Sequence, residues 1–311
     1  MKFRVYLFFC LLLFSHSLFS NENVTFNIGD VFVTTPASDS LLIVNTIKRF
    51  SADIDNFQRK IGQYPELKIR IVVINDEDDY LAYAKSRSEI IEFSRAFYSR
   101  RDSTIYLRNP RNHKNFIQLN QIMLHEYIHH FVAHYWKNTP LWFNEGMAVY
   151  FSGDLSIERE FNFVKNYILG NSLQLEQMKY NYPENRIAWE SFYAKSGLAV
   201  KYLYQKKYRE FINFCDRGAQ GENFSKAFFH SFYFTPLDYS RFFEEYSKKH
   251  FTVEILLAST GLIWGILPLI LIIGWIRKKI IAARIRRRWD EEEALENEIP
   301  ESEKQEELEL K

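Results

Sequence analysis

The sequence predicts an α+β fold, with a small N-terminal sheet, a helical C-terminal part and one transmembrane helix close to the C-terminus. Three observations lead there. Strand-like segments lie before residue 110, and helical patterning takes over after Asn115; that order argues for α+β rather than a doubly wound sheet. An uncharged apolar run occupies Ile255–Ile276. Between about residues 25 and 250 there is no Pro/Gly/Ser-rich linker and no evident repeat, so residues 21–250 read as a single domain.

Composition narrows the class. Of 311 residues, 47% are apolar and 17% aromatic, with 11 Gly and 8 Pro. Such a chain has volume for a large core and too little Gly and Pro for a collagen-like or low-complexity polymer. A formal net charge of +1 gives no reason to expect nucleic acid as a partner.

Taken in order, residues 1–20 place Lys2 and Arg4 before an apolar run, Val5–Phe14, and then small polar residues. This is the pattern of a secretory signal, too short to span a bilayer comfortably. Cleavage signals occur at Ser15-His16-Ser17 and at Ser20. Cys10 lies inside this segment and Cys215 stands alone in the mature chain, which excludes an intramolecular disulfide there.

In Ser40–Gly62, Leu41, Leu42, Val44, Ile47, Phe50, Ile54 and Phe57 recur close to helical spacing, and Gly62 is a natural stop. Leu67–Ile74 reads as a buried strand, and a short helix is expected near Asp78–Lys85. Arg95–Ser99 and Ser103–Leu107, separated by Arg100-Arg101-Asp102, suggest a β-hairpin.

The chemistry concentrates in the next segment. His125 and His129 are four apart, with Glu126 directly after the first. Residues i and i+4 share one helix face about one turn apart, so the two imidazoles can converge on one ion. Glu126 stands beside that face as a general base rather than a ligand, which is the HExxH arrangement. His130 and His134 repeat the spacing, but Phe131 occupies the place of the base, and they read as packing, surface or supporting residues.

Zinc requires a third protein ligand and an open position. Thr139 as N-cap and Pro140 in the first turn are expected to start a new helix. On it Glu145 follows His129 by sixteen residues, after a chain reversal and among apolar Trp142, Phe143, Met147 and Ala148. Glu145 is the candidate third metal ligand.

His125-Glu126-x-x-His129 followed by Trp142-Phe-Asn-Glu145-Gly146-Met-Ala148 resembles the gluzincin metallopeptidases, particularly the bacterial peptidase MA-like group. The resemblance covers about Ile71–Tyr246. It implies a thermolysin-like catalytic domain and zinc-dependent hydrolysis of peptide bonds in a peptide or protein substrate, Glu126 activating a zinc-bound water. Similar folds use a tyrosine or histidine from a later helix to stabilise the oxyanion, and Tyr193 is the candidate here. Thr104–Leu107 is expected to act as an edge strand that pairs with extended substrate. The histidine and glycine pattern that metzincins require is absent, with Tyr135 and Val132 at those positions. The rival reading is a non-catalytic zinc-binding ectodomain of the same fold that binds a protein or envelope partner; the intact Glu126 argues against it.

Residues 255–276 hold 22 residues without a charge, and at ~1.5 Å per residue that length crosses a ~30 Å hydrocarbon core. Arg277, Lys278, Lys279, Arg284, Arg286, Arg287 and Arg288 follow it, which orients the C-terminus to the cytoplasm. The expectation is a single-pass plasma (inner) membrane protein, held in the bilayer by this helix, with its N-terminal domain periplasmic or extracellular. From Asp290 to Lys311, 11 acidic residues oppose Lys304 and Lys311, so 277–311 reads as a cytoplasmic tail, basic and then acidic.

Overall fold

The computed structural model describes residues 22–87, 94–112, 116–168, 172–183 and 186–298. The signal segment expected over 1–20 and the end of the acidic tail lie outside the described residues. The chain divides into two units, Met1–Tyr246 and Ser247–Lys311.

The first unit opens with a hairpin, β1 (Asn23–Ile28) antiparallel to β2 (Val31–Pro36). Gly29 supplies the positive φ of the turn, at 57°. The sequence reading missed this pair, although Val31, Val33 and Thr35 alternate inward along β2. Helix α1 (Ser40–Ile61) buries Ile43, Ile47, Phe50, Ile54, Phe57 and Ile61 along one stripe. It ends where Gly62 adopts the left-handed conformation at φ 71°, as its position predicted.

Strand β3 (Ile69–Ile74) runs parallel to β2, and helix α2 (Glu77–Arg87) follows it. Strands β4 (Ala96–Ser99) and β5 (Thr104–Arg108) form the expected antiparallel pair. Strand β5 also pairs in parallel with β3, giving the sheet order β1-β2-β3-β5-β4. The sheet is therefore mixed, with β1 and β4 at its edges.

Among the described residues seven helices follow: α3 (Phe116–Tyr135), α4 (Leu141–Ser152), α5 (Ile157–Ile168), α6 (Arg186–Lys206), α7 (Tyr208–Ala219), α8 (Phe224–Phe232) and α9 (Pro236–Glu298). Helix α3 packs on α1 through edge-to-face pairs, Phe57 with Phe131 at 5.1 Å and Phe50 with Tyr127 at 6.1 Å. Helix α4 packs against both α3 and α6. The approach to α6 is close at Gly146, where a Cβ would collide with the carbonyl oxygen of Ser196 and the side chain of Val200. Glycine at this position is a packing requirement.

The start of α4 differs from expectation. Pro140 itself is the N-cap, at φ −60° and ψ 144°, and makes no side-chain capping bond. The Thr139 hydroxyl instead donates back to the Trp136 carbonyl at 3.2 Å.

The expected thermolysin-like α+β domain with a transmembrane helix is corrected. The described residues are mainly helical, and the five strands among them form one small mixed sheet. Among the described residues no helix is long and apolar enough to cross a membrane, which overturns the transmembrane helix expected over 255–276. Helix α9 carries exposed Ile266, Leu267, Leu269, Ile270, Leu271, Ile272 and Ile273 ahead of Arg277, Lys278 and Lys279. The side chains at the start of the expected span lie outside the described residues.

Candidate metal centre

Helix α3 separates two roles around its circumference. Met123, Tyr127, Ile128 and Phe131 are buried in the core. His125 and His129 look toward α4 instead, with ring centroids 4.9 Å apart and planes at 79°. Helix α4 brings Glu145, 2% exposed, to the same place. Its Oε2 lies 3.5 Å from Nε2 of His125 and 3.6 Å from Nε2 of His129.

These three side chains could hold a metal ion, each offering one ligand atom, all within 4.8 Å of one another. The buried Oε2 of Glu145 has no hydrogen-bond partner among the described residues. A buried carboxylate oxygen left without a partner is costly, and a cation held between it and two imidazoles removes that cost. The spacing suits such an ion. Donors bound tetrahedrally at ~2.0–2.1 Å sit about 3.4 Å apart, close to the two separations observed.

The electrostatics agree with a shared ion site. Burial opposes charge on His125, but the Glu145 and Glu126 carboxylates outweigh it and raise its pKa above the ordinary 6.5. Burial likewise acts to raise Glu145, yet His129, His125 and the Tyr182 hydroxyl hold it below 4.5. Without a cation, a proton takes up part of the stabilising role.

Glu126 lies beside the three candidate ligands without being one of them. Burial raises its carboxyl above 4.5, against the pull of His129 and His125, which favours a group able to take up and release a proton. Its Oε2 accepts the backbone N–H of Tyr98 at 2.8 Å. Tyr98 belongs to β4, so the sheet edge beside the site is β4. The strand expected in that place, Thr104–Leu107, lies in β5 between β3 and β4. Its hydrogen-bonding sides are both taken, because it pairs with β3 as well as with β4.

Tyr193 comes from α6, its ring centroid 6.1 Å from that of His125. Burial, followed by the charges of Glu145 and Glu126 and the nearby Tyr182, holds its hydroxyl well above 10, so it stays a donor at neutral pH. His130 faces elsewhere. It is buried, and its Nδ1 is 2.8 Å from the Tyr98 hydroxyl. Burial and then His134 lower it to about 4, which makes it a neutral member of the α3–β4 packing.

Sequence reasoning missed Tyr182, whose hydroxyl donates to Oε1 of Glu145. No spacing in the sequence distinguishes it from the other tyrosines, because it reaches the site through an irregular segment. It also missed the Tyr98 N–H, a backbone group that no side-chain pattern reveals.

Compared with models of known protein families and with curated protein sequences, the chain matches none.

Proposed function

We propose that this protein is a zinc-dependent metallopeptidase with the His-His-Glu ligand set of the gluzincins, acting on peptide or protein substrates. One observation carries the reading. The two histidines of an HExxH helix and a buried glutamate from a second helix present three donor atoms at metal-ligand spacing, with Glu126 free of the ligand set.

His125, His129 and Glu145 would hold the zinc, and two imidazoles with one carboxylate is a donor set that zinc accepts while keeping a position open. The ion, when bound, supplies Lewis acidity to the scissile carbonyl and to water. Glu126 takes the proton from the attacking water and passes it to the leaving amine. The Tyr193 hydroxyl donates to the oxygen of the former carbonyl as charge develops there. Apart from the Tyr98 N–H, which Glu126 accepts, the outer edge of β4 offers backbone groups to an extended substrate.

The test uses the full-length protein, with bound zinc measured and hydrolysis of a peptide library compared between wild type and Glu126→Gln. Zinc together with cleavage that Glu126→Gln abolishes is the expected result. No zinc after metal supplementation overturns the metal site. Zinc with no Glu126-dependent cleavage overturns the peptidase and favours a zinc-binding module with a protein or envelope partner.

A further inference from the structure

We propose that Tyr182 is a positioning residue of this centre, fixing which oxygen of Glu145 is presented to the metal. The inference rests on the metal-site reading above and adds a residue that the HExxH and WxxEGxA motifs do not contain.

The two carboxylate oxygens of Glu145 have different surroundings. Oε1 accepts the Tyr182 hydroxyl. Oε2 has no hydrogen-bond partner among the described residues and faces Nε2 of both His125 and His129. A carboxylate with one oxygen committed to a donor presents the other as a single ligand atom. Without that donor the group can turn about its last bond, and its outer oxygen is left buried without a partner.

The Tyr182 hydroxyl is itself held in place from several directions. Its ring stacks on Trp189 of α6, with centroids 4.6 Å apart and planes 4° from parallel. The segment leading to it is pinned at two earlier points. The carbonyls of Met178 and Lys179 accept the N–H groups of Trp142 at 3.0 Å and Leu141 at 2.9 Å. These are first-turn donors of α4, which Pro140 as N-cap cannot satisfy with a side chain. Further back, buried Lys195 of α6 donates to the Leu173 carbonyl and pairs with Glu244 at 2.6 Å, while Glu244 accepts the Leu175 N–H at 3.1 Å. The segment thus caps the helix that carries Glu145 and delivers a hydroxyl to that same glutamate. A tyrosine that served only to fill space would need neither its hydroxyl nor this registration.

The test is Tyr182→Phe in the full-length protein, which keeps the ring against Trp189 and removes only the donor. Zinc affinity is measured by competition with a chelator, the visible spectrum of the Co2+-substituted protein is recorded, and thermal unfolding of the metal-free form is followed. The expected result is roughly ten- to a hundredfold weaker zinc binding and an altered Co2+ spectrum. Affinity is read on the folded fraction, so a lower unfolding midpoint does not protect the proposal. Equal zinc affinity and an unchanged Co2+ spectrum in folded Tyr182→Phe overturn it while leaving the metal site standing. A wild-type protein that binds neither Zn2+ nor Co2+ overturns both.

Discussion

The backbone N–H of Tyr98, on the outer edge of β4, donates to Oε2 of Glu126 at 2.8 Å. The candidate general base is thus tied to the strand that would align a substrate, and the sheet edge and the HExxH helix form one unit. In Glu126→Gln the amide oxygen can still accept that N–H, so folding and zinc content persist. We expect kcat to fall by roughly 10²–10⁴-fold with KM little changed. Steady-state kinetics with metal analysis of the same sample check this.

Tyr193→Phe separates the two tyrosines near the centre. Its ring lies beside His125, and the proposed mechanism has its hydroxyl donate to the substrate rather than to a metal ligand. Loss of that donor should lower kcat by roughly 10²–10³-fold and leave zinc affinity unchanged. Zinc competition assays on Tyr193→Phe and Tyr182→Phe should therefore give opposite answers.

Gly146→Ala places a methyl group into the Ser196 carbonyl. Helix α4 must then move away from α6, which costs about 1–3 kcal/mol and displaces Glu145 on the adjoining position. Denaturant unfolding should show the loss, and zinc affinity should fall with it. An Ala variant with wild-type stability would mean that α4 and α6 separate without cost.

The centre carries its own pH dependence. His125 has a raised pKa in the metal-free protein, so its contribution to stability is full below the unfolded value near 6.5 and is lost as pH rises through the folded value. A metal ion competes with that same proton. The increase in unfolding temperature caused by zinc should therefore be larger at about pH 8 than at about pH 6. A zinc-induced shift that does not grow with pH would exclude proton competition at His125.

The site was legible in the sequence where its geometry is local. An i, i+4 pair of histidines defines one face of a helix whatever surrounds it, so His125, His129 and the intervening Glu126 could be read directly. Glu145 was legible through its apolar neighbours, since a carboxylate among Trp142, Phe143, Met147 and Ala148 needs a reason to be buried. Helix α1 with its terminal Gly62, strand β3 and the β4–β5 hairpin were also legible, from periodicity and turn residues. The β1–β2 hairpin escaped because its short strands follow a signal-like segment. The expected membrane span came from an apolar run, whereas among the described residues no helix is long and apolar enough to cross a membrane.

By itself the sequence determined the helical spacing of the two histidines, the glutamate between them, and a second helix bearing a glutamate and a glycine. Those features depend on residues a few positions apart. Only the tertiary structure decided that β4 rather than β5 borders the site, that Gly146 sets the distance between α4 and α6, and that Tyr182 holds the outer oxygen of Glu145. Each of these depends on strand order or on contacts between segments far apart in the chain. Local patterning limits such contacts and does not specify them, because many packings of the same amphipathic elements bury similar apolar surface; the one adopted is selected by close approach at small residues and by the pairing of buried polar groups.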